Sequence, residues 1–430
     1  MLVTAMKNAR RNIMKKIIAL LFICMAIFAV AGHENTAEAA SKKVYKITPS
    51  SKPVDPLFLR FSTYNKDTKH YYLLRSYLEK FEKENGGTLV LKKGTYTISN
   101  ALYIPSNVTI KLENDARLNK GTKTGTSQFK PSTSIFQLVR PSKANKKGAY
   151  GKHNGEKNIQ FIGSGKATID MKYFEKGIAI IMGHNQNVKV DNIDFQNISN
   201  AHFIEMDASK NVKVTNSSFK NSKDGYASIK EAINLDTPDR TTKGWSQEWS
   251  KFDRQANDTV LIEGNTFYNL PRAIGTHKYS EKKLHKKVTI RDNKMSKIKR
   301  DYIRGLNWSQ PVIENNTFSM TKAESNKEEN ALLRGVFLSG SYKPTIRENN
   351  FNYIPRPIAF LKWQNTNGGT TKFIYSHITK GNKADFLTNH ISNAMFQKIL
   401  INGYDNGESD ELDQVEFPES ILKPELREEE

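Results

Sequence analysis

The sequence predicts an all-β solenoid, a parallel β-helix with one helix covering its N-terminal end. Three observations carry this reading. A short motif recurs along the chain, each copy alternates apolar and polar residues with period two, and a second short strand follows each copy at a near-constant distance. With 430 residues, 37% hydrophobic and 10% aromatic, there is material for a sizeable core, which excludes a mostly disordered chain. A mean hydropathy of −0.62, with one long apolar run confined to the N-terminus, excludes a polytopic membrane protein.

The motif reads apolar-x-apolar-x-polar-Asn-x-x-Phe. It is clearest as Val188 to Phe195 and Val212 to Phe219, with looser copies at Val260 to Phe267, Val288 to Met295, Val312 to Phe318 and Thr345 to Phe351. The anchors Phe195, Phe219, Phe267, Met295, Phe318 and Phe351 are 24, 48, 28, 23 and 33 residues apart, which describes stacked coils with excursions. Asn or Gly stands where the chain must turn, because both tolerate left-handed backbone. The sequons at Asn197, Asn216 and Asn315 read as such turns. The second strands are His202–Asp207, Glu231–Asp236, Arg272–His277, Asp301–Leu306, Arg334–Ser339 and Arg356–Leu361, each with a branched residue third. Ahead of the coils, Tyr72, Leu73, Leu74, Tyr77, Leu78 and Phe81 fall at helical intervals within 68–85, and Gly86-Gly87 supplies the stop.

The ends of the chain differ from its body. Residues 1–39 read as a secretory leader: Lys7, Arg10, Arg11, Lys15 and Lys16 precede the apolar stretch Ile17 to Ala31, and Ala37-Glu38-Ala39 suits cleavage. The expected product is secreted, with no stable membrane insertion after cleavage. The sole cysteine, Cys24, lies in that leader, so disulfides, thiol catalysis and Cys-based metal sites are excluded from the remainder. The β-helix domain is expected over 40–408, followed by an acidic tail at 409–430. Five positive and two negative side chains leave with the leader, taking the net charge from +22 to +19. The tail carries nine acids against Lys423 and Arg427, so the body holds about +26. Such a field attracts polyanions, outside the cell an acidic polysaccharide or anionic surface rather than nucleic acid.

Stacking turns sequence into a site, because equal positions on successive coils become neighbours about 4.8 Å apart. With Ile204, Ile233, Ile274 and Ile303 inward, Glu205, Asp207, Asn234, Asp236, His277 and Arg304 face outward. The leading positions His202, Glu231, Arg272, Asp301, Arg334 and Arg356 form a second polar column. The excursion 237–257 carries Trp245, Trp249, Phe252 and Asp253, which either overhang the polar face as a platform for sugar rings or fold back onto the coil. His184, His202, His277 and His285 lack metal-ligand spacing, so no metal site is expected.

Gly86-Gly87-Thr88, Lys93-Gly94-Thr95-Tyr96 and Ser106-Asn107-Val108-Thr109-Ile110 resemble the N-terminal signature of the pectate-lyase-like superfamily, and the resemblance covers roughly residues 60 to 400. It implies a right-handed parallel β-helix and leaves the reaction open, since this fold hosts hydrolases, lyases, epimerases and adhesins. Asn234-Leu235-Asp236 looks like the Asn-x-Asp element of polygalacturonase-type glycoside hydrolases, with His277 and Arg304 following in the order that resemblance implies. The paired Asp-Asp and the Gly-His-Gly of that group are absent. A hydrolase needs one protonated carboxyl and one carboxylate. The catalytic candidates are Asp236, Glu231, Asp207, His277 and Arg304; the substrate-binding candidates are Glu205, Asn234, Trp245, Trp249, Asp253, Arg272, Asp301 and Tyr302. No cofactor is expected. A uronate lyase, in which a cation or Ca²⁺ neutralises the sugar carboxylate, a base takes the C5 proton and a donor protonates the leaving oxygen, with Arg304, Arg272, His277 and Tyr302 available for those roles, and a non-catalytic glycan-binding adhesin are the alternatives.

Overall fold

The computed structural model describes residues 43–402 apart from 226, 364–373 and 375. The expected leader and acidic tail lie outside the described residues. Strands stack into three parallel sheets of 11, 10 and 10 strands. Each coil contributes in turn to sheet 1, for example Gln186–Asp191, then to sheet 2, Asp194–Ile198, then to sheet 3, Ile204–Asp207. The repeated motif therefore spans two strands with a corner at its Asn. The second strands expected from sequence form sheet 3, and three of them, Glu231–Asp236, Arg334–Ser339 and Arg356–Leu361, keep the expected bounds. Among the described residues no helix is long and apolar enough to cross a membrane.

The corner between sheets 1 and 2 sets the stacking. Asn192, Asn216, Gly264, Asp292, Asn315 and Glu348 occupy it with φ between 50° and 67°, the left-handed region that suits Asn and Gly. The following residue turns inward and is buried. The amide N–H of Ser217, Asn265, Asn293 and Asn316 each donates to Oδ1 of the next coil's Asn, namely Asn265, Asn293, Asn316 and Asn349, at 2.9 to 3.1 Å. The side-chain amides donate in turn to backbone carbonyls, as Asn293 Nδ2 does to Ile262 O at 2.9 Å. A one-residue turn leaves a corner amide unpaired, and this ladder satisfies it.

Beneath the corner, the anchor phenylalanines stack face to face: Phe195 on Phe219 at 4.9 Å, Phe219 on Phe267 at 5.0 Å and Phe318 on Phe351 at 4.5 Å. Their identical position in each coil places the rings one strand spacing apart. The 48-residue interval is a single coil, because Phe219 pairs directly with Phe267; residues 237–257 leave the stack and return. At the N-terminal end the expected helix forms as Lys69–Lys83, burying Leu73, Leu74, Leu78 and Phe81. It stops at Asn85 and Gly86, both with positive φ, and Phe81 packs on Gly87, where a Cβ would meet its ring at 2.3 Å.

Candidate functional site

The candidate residues gather on sheet 3. Ile204, Ile233, Ile274 and Ile303 are in register and fully buried, so alternate positions face out of the coil. Glu205 stands beside Asn234 and Asp207 beside Asp236. One coil on, the strand ends at Gly275 and the chain folds His277 towards both neighbours. The His277 N–H donates to Asn234 Oδ1 at 3.0 Å and to Asp236 Oδ1 at 2.8 Å, and the Lys278 N–H reaches the same Asp236 oxygen at 2.8 Å. Asn234 Nδ2 donates to Glu205 Oε1 at 3.0 Å, so one amide ties the two carboxyl-bearing coils together.

The leading positions build a ladder of alternating charge. Arg272 lies 3.4 Å from Glu231 and 3.1 Å from Asp301, and Arg334 Nε donates to Asp301 at 2.6 Å. Glu231 also faces His277 Nδ1 at 3.4 Å and Arg304 Nε at 3.8 Å. Burial works against ionisation of Glu231, but His277, Arg304 and Arg272 hold its carboxyl well below the ordinary value. The outward carboxyls behave oppositely. Burial and the Asp236 charge push Glu205 well above the ordinary range, and burial and the charges of Glu205 and Asp236 do the same to Asp207. Asp236 is raised to about 7 by burial and the Glu231 charge, against the pull of the Lys278 and His277 N–H groups.

His202 completes this arrangement. Its Nδ1 donates to the Glu231 carbonyl at 2.6 Å, and burial lowers its pKa to about 3. The ring is therefore neutral, and its bare Nε2 lies 3.6 Å from Glu205 Oε2. An acceptor facing a carboxyl favours the protonated acid.

These groups open on a cleft of about 260 Å³ lined by His202, Glu205, Asn234, Asp236 and His277, with Lys176, Lys230 and Lys243 among its lining residues and Trp245 on the excursion side. Of the sequence candidates, Glu205, Asn234, Asp236, His277 and Trp245 thus meet in one place. Asp207 is fully buried on the strand beside them, and neither carboxyl oxygen has a hydrogen-bond partner.

Other candidates go elsewhere. Tyr302 occupies the same strand position as Phe203, Ala232 and Ala273, points into the coil, and donates its hydroxyl to Ser319 O at 2.8 Å; it is a core residue. Trp249 folds back onto the sheet, its indole N–H on Gln137 Oε1 at 3.0 Å, over an apolar floor of Val139, Tyr150 and Ile181. Gly183 permits this seating, since a Cβ there would lie 2.7 Å from each of Trp245 and Trp249. Asp253 accepts the Lys152 N–H and ties the excursion down. Arg272, Asp301 and Arg304 are buried in the charge ladder, and Arg304 also donates to Thr276 O and His277 O at 3.2 Å. Trp308, also buried, donates to Thr276 Oγ1 at 2.8 Å.

Sequence reading missed Lys176, Lys230 and Lys243, and undervalued His202. The first two precede sheet 3 strands in the turn from sheet 2, a position that aligned repeats would have flagged as the cleft's rim. Among the described residues no group of three His, Cys, Asp or Glu is arranged to hold a metal ion.

No family model matches this sequence, and no curated protein does. Among solved structures, the Streptococcus pneumoniae surface protein and adhesin PfbA superposes with a TM-score of 0.57 at 20% identity, over 77% of this chain and 85% of that one. A second structure of PfbA, described as a surface adhesin, gives 0.57 at 18% identity over 85% and 80%. The chain is a right-handed parallel β-helix. A Yersinia enterocolitica family 28 exopolygalacturonase is also similar, with a TM-score of 0.42 at 11% identity over 85% of this chain and 79% of that one. These likenesses concern the fold, and the chemistry of this β-helix is argued from its cleft.

Proposed function

We propose that this β-helix acts outside the cell on an anionic polysaccharide and hydrolyses its glycosidic bonds in the sheet 3 cleft. The observation that carries the reading is the pair Glu205 and Asp236, two carboxyls on adjacent coils, bridged by Asn234, whose surroundings hold one protonated and let the other ionise near neutrality. Glycoside hydrolysis needs this division of labour. Glu205 protonates the leaving oxygen, with His202 supporting its acid form. Asp236 as carboxylate activates water or attacks the sugar, held in place by the N–H groups of His277 and Lys278. Glu231 fixes the His277 ring from behind. Lys176, Lys230 and Lys243 supply positive charge for a uronate or sulfated sugar, and Trp245 adds an apolar contact for a sugar ring. Of the groups named for a lyase scheme, Tyr302, Arg272 and Arg304 are buried and engaged, which leaves His277 in the cleft, its N–H on Asp236 and its ring against Glu231.

The test is incubation of the purified protein with acidic and neutral polysaccharides, following new reducing ends and ultraviolet absorbance of unsaturated uronates. Reducing ends without absorbance are expected, with Glu205→Gln and Asp236→Asn each lowering turnover about 10³-fold while circular dichroism is unchanged. Absorbance in step with reducing ends would establish a lyase instead, and binding without either signal an adhesin. The working form has Asp236 ionised and Glu205 protonated, so the rate should climb as pH rises through about 7 and fall where Glu205 loses its proton. A rate already maximal at pH 4 would remove Asp236 from the base role.

A further inference from the structure

The charge ladder at the leading edge of sheet 3 alternates through Glu231, Arg272, Asp301 and Arg334, then stops alternating. The next coil places Arg356 directly beside Arg334, as Cα partners in the parallel register. Like charges facing each other across adjacent strands oppose the stacking. Asp301 neutralises Arg334 from one side only; among the described residues no carboxylate lies within ion-pair distance of Arg356. Glu328 and Glu329, in the segment leading to Arg334, pair with neither arginine.

Both guanidinium groups sit over phenyl rings, Arg334 with its central carbon 3.9 Å from the Phe337 centroid and Arg356 4.0 Å from that of Phe396. Arg356 Nε is spent on Ala331 O at 3.2 Å, which orients the fork and leaves its terminal nitrogens for another acceptor. Earlier members of the column are buried, whereas Arg334 and Arg356 are both partly exposed, so the ladder surfaces where its charge is uncompensated. Burial and the Arg334 charge lower the pKa of Arg356, the mark of a neighbour that would welcome an anion.

We propose that Arg334 and Arg356 form an anion-binding site for a carboxylate or sulfate group, separate from the catalytic cleft. Two adjacent, ring-supported guanidinium forks match the planar or tetrahedral oxygens of such groups. The site lies three to four coil steps from Asp236, about 14 to 19 Å at a strand spacing of ~4.8 Å. A glycan of about five rings seated in the cleft would reach it. That source of the anion rests on the cleft binding an anionic polysaccharide; the site itself does not.

The first arm of the test measures Tm of the full chain in sodium sulfate against sodium chloride at equal ionic strength, for the wild type, Arg356→Gln and Arg356→Lys. The sulfate-specific rise in Tm is expected in the wild type, reduced at least by half in Arg356→Gln and partly restored in Arg356→Lys, which keeps charge without the fork. Equal rises in all three proteins overturn the site. The second arm compares binding of dimeric and hexameric oligouronates by calorimetry. About ten-fold tighter binding of the hexamer, lost in Arg356→Gln with dimer binding unchanged, identifies the cleft-bound chain as the source. A sulfate effect without that length dependence identifies a free or separately carried anion. The sulfate arm involves neither Glu205 nor Asp236, so failure of the hydrolase reading would leave its outcome intact.

Discussion

The Asn corner and the outer face of sheet 3 are built by one device and serve opposite ends. In both, stacking sets equal residues one strand spacing apart and buries their polar groups. At the corner those groups are neutral amides, and each both donates and accepts between coils. On sheet 3 they are ionisable and less well satisfied: neither Asp207 oxygen has a hydrogen-bond partner, and Glu231 Oε2 and His277 Nδ1 meet only each other, at 3.4 Å. A buried polar group without a partner costs stability, so such a cluster persists only where something other than stability retains it. Amides placed at the same spacing would have made a second ladder, and carboxylates instead make a cleft with separated proton affinities.

The contrast can be broken most severely at Glu231, whose charge holds Arg272 and Arg304 in the interior. Glu231→Gln leaves Arg304 without its carboxylate and Arg272 with Asp301 alone, and should destabilise the fold by about 3–5 kcal/mol at neutral pH, measured by urea unfolding. The sign with pH follows from the depressed carboxyl. Its stabilisation is complete above the ordinary Glu value of 4.5 and is lost as pH falls towards its folded value, so wild type and variant should converge in strong acid.

At the corner, Asn293→Ala removes the acceptor for the Asn265 N–H and side-chain amide. A loss of about 2–3 kcal/mol is expected, with no change in the pH profile of turnover; a shifted profile would show the two regions to be coupled.

Asp207 should yield an effect of the opposite sign. Its carboxyl is raised, so the folded state takes up a proton the unfolded chain gives away, and stability falls as pH rises above the ordinary Asp value of 3.8. Asp207→Asn is therefore expected to be more stable than wild type at pH 7 and to match it at pH 4, read from urea midpoints. A loss at pH 7 would mean that the ionised group has a partner.

Much of this contrast was legible in the sequence, because register follows from repeated motifs. Aligning Ile204, Ile233 and Ile274 was enough to bring Glu205, Asn234 and Asp236 together, and the Asn at each corner announced its own backbone. What escaped was side-chain direction at strand entry and the path of the excursion. Tyr302 reads as a substrate-binding candidate from its place beside Asp301, yet Phe203, Ala232 and Ala273 at the same position are apolar, since the chain enters the strand still turning inward. Trp249 depends on Gly183, more than sixty residues away, and Lys243 reaches the cleft only because that excursion folds back. The opposed proton affinities of Glu205 and Glu231 follow from distances to His277, Arg272 and Arg304 that no spacing in the chain encodes.

The one-residue corner has a consequence for how this molecule can change. From Asn192 to Glu348 the passage from sheet 1 to sheet 2 never lengthens, whereas the long departures, 237–257 and 320–333 among them, flank sheet 3. An inserted residue at the corner would shift every amide out of step, while a loop of any length beside sheet 3 returns the chain to the same rung. The molecule is thus divided into a spine that forbids variation and a rim that absorbs it. New loops necessarily gather around the cleft, where they alter what it admits without unsettling what holds it up.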